Sequence, residues 1–250
     1  MSIDMNPNYI GYSIIDWKNS DFFNILKTGV ISIKKLNDRQ LGFKKEKLTS
    51  DNPKNIKINN QREFEIFHIT KALTNIARSH NIECFGLELL SMESSDKKKG
   101  SRYNRLVNNF WCRSIFEKNL LKRFNLQGIK YISVPAAYSS FVGNLLHRDF
   151  PDMVASSIEI NRRVYQKLNI EPFTIFPSFT KSIGALTQSL EELGLEASKL
   201  IPTVKDWKEL YGVIKNLGLR YRVPLDRNRF KVFRLGHSPW IESFLSFSMI

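Results

Sequence analysis

The chain has 250 residues, with 38 Lys and Arg against 24 Asp and Glu, a formal net charge of +14 at pH 7. Hydrophobic residues make up 42% and charged residues 25%, which excludes intrinsic disorder and collagen-like composition and allows a real core. No run approaches the roughly 18 apolar residues of a membrane span, and the N-terminus lacks a basic-then-apolar leader, so a cytoplasmic protein without a membrane partner is expected.

The first residues alternate as strands do. Ser2–Met5 leads through the turn Asn6-Pro7-Asn8 into residues 9–15, and a second turn precedes the β-rich run 28–33. Short turns between three strands predict an antiparallel meander. Residues 34–60, rich in Lys, Asn and Asp, read as a solvated loop. From Gln61 to about His80, Ile66, Ile69, Leu73, Ile76 and Ala77 recur with helical spacing. Residues 83–90 form a compact apolar strand, 94–100 a polar loop, and 102–123 a second helix. The strand 129–134 ends at Pro135. Pro151-Asp152 opens a third helix, with proline at its start and a favourable charge in its first turn.

The order β-β-β-α-β-α-β-α predicts an α/β fold: a mixed five-stranded sheet flanked by helices. Residues 169–250 carry prolines and many Phe residues, and read as a mostly helical C-terminal extension with short helices near 180–193 and 204–217. Two units are therefore expected, a core over 1–168 and an extension over 169–250 whose Phe-rich surface is either core or a docking face for a partner. Cys84 and Cys112 are the only cysteines, so neither a disulfide framework nor a four-cysteine zinc site is expected; they read as core fillers. Histidines 68, 80 and 237 show no metal-ligand spacing, and His147 reads as a loop residue.

Three acidic residues stand out. Asp4 lies mid-strand between Ile3 and Met5, Glu88 lies within the apolar run Phe85-Gly86-Leu87-Glu88-Leu89-Leu90, and Asp152 starts a helix continued by Ala155, Ser156 and Ser157. If the first and fourth strands are parallel neighbours, Asp4 and Glu88 meet at one end of the sheet, and small residues after Asp152 let its helix pack close. Carboxylates gathered in an apolar setting repel one another unless cations compensate them. Oxygen-only donors suit Mg²⁺ or Mn²⁺, and two such ions favour phosphodiester hydrolysis. Each has a plainer reading: an Asx turn for Asp4, an edge-strand glutamate for Glu88, a helix-start residue for Asp152, with Asp149 competing for the third place.

The excess of positive charge favours a polyanionic partner, since Lys and Arg release counterions from a phosphate backbone. Lys97, Lys98, Lys99, Arg102, Arg105 and Arg113 either track such a backbone, with Tyr103 and Trp111 stacking on bases, or form a solvated face. The later run Arg220-Tyr221-Arg222, Arg227, Arg229, Lys231 and Arg234 has the same two readings.

Ser2-Ile3-Asp4-Met5-Asn6-Pro7-Asn8-Tyr9-Ile10 resembles the first motif of the RuvC-like nucleases of the TnpB (OrfB) insertion-sequence family, which is related to the type V CRISPR effectors. Gly86-Leu87-Glu88-Leu89-Leu90 resembles its second motif. The segment 102–106, with 128–134 and Pro135-Ala136-Ala137-Tyr138-Ser139-Ser140, resembles the family's linking helix, strand and turn. Asp152-Met153-Val154-Ala155-Ser156 with Asn161-Arg162-Arg163 resembles its third motif and the basic helix that follows. The resemblance covers residues 1–168. It implies an RNase H-like fold, a Mg²⁺- or Mn²⁺-dependent DNA endonuclease with two ions held by Asp4, Glu88 and Asp152, and nucleic-acid contacts by the basic residues, Arg162 and Arg163 included. Unlike most members, the chain starts directly at the first motif and has no pair of CxxC motifs after the turn. No zinc is expected, and three expectations stay open: a guide RNA or a second protein supplies target recognition, the chain is a free-standing RuvC-like nuclease, or it is a remnant of one. The competing expectations are a non-catalytic nucleic-acid-binding subunit or regulator, and a structure-selective junction resolvase.

Overall fold

The structure, a computed structural model, describes residues 1–19, 22–45, 52–89, 113–169, 172–226, 230–234 and 241–246. In chain order its elements are β1 (Ser2–Met5), β2 (Tyr9–Trp17), β3 (Phe23–Ser32), α1 (Lys34–Lys45), α2 (Pro53–Ser79), β4 (Cys84–Leu89), α3 (Arg113–Asn125), β5 (Lys130–Pro135), α4 (Ser139–Leu146), α5 (Asp152–Leu168), α6 (Phe179–Glu192), α7 (Ala197–Leu200), α8 (Trp207–Asn216), β6 (Phe230–Arg234) and β7 (Glu242–Ser246).

The fold is α/β, with a mixed sheet in the order β5-β4-β1-β2-β3-β7-β6. β1 runs antiparallel to β2 and parallel to β4, and β4 runs parallel to β5. The expected meander and the crossover to β4 are both present. The expected five strands are seven among the described residues, because β7 adds to β3 with Gly29 opposite Leu245 and Ser32 opposite Glu242. The C-terminal part is thus helical over α6–α8 and then returns to extend the sheet across the boundary at 168. The loop expected over 34–60 is also corrected: α1 occupies 34–45, and α2 starts at Pro53. Asn52 caps α2 by accepting from the Lys54 N–H, with proline in its first turn. Of the helix expected over 102–123, residues 113 onward are described and lie in α3.

Strand alternation divides the side chains between two faces. Ile3, Met5, Phe85 and Leu87 join Ile66, Ile69 and Leu73 of α2 and Phe116, Leu120 and Phe124 of α3 in one core. On the other face α5 lies against the sheet, burying Met153, Val154 and Ile158 with Val30 and Phe244, and Ile160 and Val164 with Val134. Close approach there requires Gly11: a Cβ at that position would lie 2.3 Å from the Met153 carbonyl oxygen. A further cluster joins α4 to the C-terminal helices through Phe141, Leu145, Leu186, Leu190, Trp207 and Leu210. Among the described residues no helix is long and apolar enough to cross a membrane.

Candidate functional site

Ser2 and Asp4 point to the α5 face of β1. The Ser2 hydroxyl donates to the Ser157 carbonyl at 2.6 Å, and a Cβ on Gly86 would strike Val164, so Gly86 and Glu88 share that face on β4. The parallel register sets Ile3 beside Leu87. One residue further, Asp4 stands beside Glu88 near the carboxyl ends of both strands, where α/β sheets commonly place their ligands. Asp152 is the first residue of α5, whose entry beside Gly11 brings it to the same end of the sheet.

The electrostatics tie the three together. Burial pushes the Asp4 carboxyl well above its ordinary range, and the charges of Glu88 and Asp152 push it further, while Arg222 and Arg113 pull the other way. Burial also raises Glu88, against the hydrogen bond from Ser139 and the charges of Arg163 and Arg113. Burial thus outweighs the nearby arginines at both carboxyls. Asp149 is exposed, and the group it acts on is His147, so Asp152 rather than Asp149 is the third member. Burial depresses His147 itself to about 4, and it serves as a neutral packing residue edge-on to Phe23.

Helix α4 supplies the partners of these carboxylates. Tyr138, with a left-handed φ of 63°, turns the chain sharply from β5 into α4. That conformation is costly for an aromatic residue, and packing of its ring against Phe176 and Tyr211 holds it there. Ser139 and Ser140 then lead the helix. The Ser139 hydroxyl donates to Glu88 Oε1, and the Ser140 hydroxyl donates to Asp152 Oδ1 at 2.5 Å. Asn144, wholly buried, donates to the same Oδ1 at 2.6 Å. Arg222 approaches Asp152 Oδ2 to 3.7 Å with its side chain 62% exposed. Arg113, on α3, donates to the main-chain carbonyl of Glu88. Asn144 was not legible as a site residue; Ser139 and Ser140 were marked only as part of the turn after Pro135, and Arg222 only as part of the basic run that begins at Arg220.

The expected basic contacts divide. Lys97, Lys98, Lys99, Arg102 and Arg105 lie outside the described residues, as do Tyr103, Trp111 and Cys112. Arg163 is wholly buried, donating to Glu159 Oε1 at 2.9 Å and to the Pro135 carbonyl at 2.6 Å, so it is an internal counter-charge and not a phosphate contact. Arg162 grips the same Glu159 from the other side and donates to the carbonyls of Thr174 and Ile175. The two arginines hold the Glu159 carboxyl below its usual range despite its burial. A cavity of about 480 Å³, lined by Trp17, His80, Cys84 and Tyr165 among others, opens at the amino ends of β1 and β4, away from the carboxylates.

Among the described residues no group of three His, Cys, Asp or Glu side chains is close enough to enclose one metal ion. In donor chemistry the set nonetheless fits a hard divalent cation. All three groups are carboxylates, burial raises two of them above the ordinary range, and Glu88 and Asp152 each have one oxygen already engaged by α4. No family model matches the chain, and neither does any curated protein or solved structure.

Proposed function

We propose that the chain is a divalent-metal-dependent endonuclease acting on DNA, built on an RNase H-like core of the RuvC kind found in TnpB-family proteins. The observation that carries this reading is the gathering of Asp4, Glu88 and Asp152 on the α5 face of the sheet, at the carboxyl ends of β1 and β4. When bound, Mg²⁺ or Mn²⁺ supplies the activation of water and the charge stabilisation that phosphodiester hydrolysis needs. Asp4 and Glu88 would hold the ions from the sheet and Asp152 from α5. Ser139 fixes Glu88, and Ser140 with Asn144 fixes Asp152, so that each of these two carboxylates presents its remaining oxygen. Arg113 anchors the end of β4 through the Glu88 carbonyl. With 38 basic residues against 24 acidic ones, the chain attracts a polyanionic strand over a long range.

One observation favours a second reading. Ser139, Ser140, Asn144 and Arg222 satisfy two of the carboxylates within the protein, as in a non-catalytic nucleic-acid-binding subunit. The two readings separate in one assay. Purified protein is incubated with single-stranded, duplex and branched DNA in Mg²⁺, Mn²⁺ or EDTA, beside Asp4→Asn. Metal-dependent cutting lost in the variant supports the nuclease, and a preference for branched DNA marks it as a resolvase. Binding without cutting in every metal condition overturns the catalytic reading.

A further inference from the structure

Asn144 has a place in the site that its sequence context does not announce. It sits on the inner face of α4, is wholly buried, and uses both ends of its amide. Its Nδ2 donates to Asp152 Oδ1 at 2.6 Å and to the Ser140 carbonyl at 2.7 Å. Its Oδ1 accepts from the Val223 N–H at 2.8 Å. The Val223 carbonyl in turn accepts from the Asp152 N–H at 2.8 Å, which closes a ring through Asn144, Asp152 and Val223. The neighbouring chain is pinned from both sides: Arg148 donates to the Tyr221 carbonyl, and the Tyr221 ring packs edge-on to Phe141.

We propose that Asn144 is a positioning residue for the carboxylate site, aiming Asp152 and fixing the 221–223 segment against it. This proposal rests on the metal-dependent reading above. Two donors, from Ser140 and Asn144, fall on Oδ1, so Asp152 offers Oδ2 alone to a cation. The ring also sets the distance between that oxygen and Arg222, the next residue to Val223. No other side chain of this size performs both tasks: Asp lacks the donors, and Leu lacks every polar atom. Partners of this kind are general at metal centres, where orienting groups behind the ligands are worth roughly 10- to 100-fold in metal affinity.

The test is Mn²⁺ binding, read by the loss of the free-ion electron paramagnetic resonance signal, on the whole chain without nucleic acid. Asn144→Ala is compared with wild type, with Asn144→Ser as a milder truncation in case the first fails to fold. Ser189→Ala is the control; it deletes another buried hydrogen bond to α4, from the Ser189 hydroxyl to the Leu145 carbonyl, which engages neither Asp152 nor the 221–223 segment. The proposal expects Mn²⁺ affinity at least about tenfold weaker in the Asn144 variants and unchanged in Ser189→Ala. Wild-type affinity in the Asn144 variants overturns it and leaves the functional reading intact. Equal weakening in Ser189→Ala reduces Asn144 to a structural role and also overturns it. A wild type that binds no Mn²⁺ overturns the functional reading and this proposal together.

Discussion

Gly11 controls how closely α5 reaches the sheet, and through it the position of Asp152. Gly11 lies directly opposite Asp4 in the β1–β2 pair. A methyl group added there would lie 2.3 Å from the Met153 carbonyl oxygen and 2.4 Å from its carbon, where ordinary contact begins near 3.4 Å. These are backbone atoms, so no rotamer change relieves the clash, and α5 must retreat by about 1 Å. Overpacking of this kind costs about 1–3 kcal/mol. For a chain of this size that lowers the melting temperature by roughly 2–12 °C. Displacement of a reacting geometry by about 1 Å costs on the order of 100-fold in rate. Gly11→Ala is therefore expected to keep the fold, melt several degrees lower and lose most metal-dependent cutting. Gly184→Ala is the control, because nothing lies within 4 Å of a Cβ there, in the interior of α6. It should gain about 0.5–1 kcal/mol and cut at the wild-type rate. Calorimetry and a cleavage time course read both quantities. Wild-type melting and cutting in Gly11→Ala would refute the claim that close α5 packing sets the site.

Arg163→Met should destabilise by about 3–5 kcal/mol, because it leaves the Glu159 carboxylate buried with only Arg162 to balance it. The double variant Glu159→Leu with Arg163→Met should recover much of that loss in urea titrations; a single-variant loss below about 1 kcal/mol would contradict the buried-pair account. Stability in EDTA should fall as pH rises from the ordinary carboxylate range. Asp4 and Glu88 are raised in the fold, so their contribution is complete below their unfolded values and is lost as pH climbs through the folded ones. Asp4→Asn should flatten that fall, and a melting profile identical to wild type between pH 4 and 8 would contradict it. His147 acts in the opposite sense: depressed to about 4, it contributes stability above its unfolded value of 6.5 that is lost as pH falls toward 4. His147→Phe should lose this acid-side slope.

The carboxylates were legible because each breaks an apolar pattern. Asp4 lies mid-strand between Ile3 and Met5, and Glu88 lies in the otherwise apolar run 85–90; a charge inside a strand packed on both faces needs a purpose. Asp152 was marked by the proline before it and the small residues after it. The meander of the first three strands and the helical crossovers to the next two followed from short turns and helix–strand alternation, which are local signals. What stayed hidden was non-local or diluted. The pairing of β7 with β3 joins residues about 200 positions apart, and no local periodicity reports it. Helix α1 and the start of α2 were obscured by Lys, Asn and Asp on their exposed faces, although Asn52-Pro53 is a cap followed by a first-turn proline. Arg162-Arg163 reads as surface charge until helical spacing sets Glu159 one turn before it. Asn144 carries no sequence mark because its partners, Asp152 and Val223, come together only in the fold.

Whether Asp4, Glu88 and Asp152 together hold a divalent cation is read by equilibrium Mn²⁺ binding, without knowledge of the substrate. Wild type is titrated beside Asp4→Asn, Glu88→Gln and Asp152→Asn, with folding checked by circular dichroism. Wild type should bind saturably, and each substitution should weaken binding by at least about tenfold, since each removes a charged oxygen donor. No binding by wild type, or binding that survives all three substitutions, would contradict a cation site built from these carboxylates.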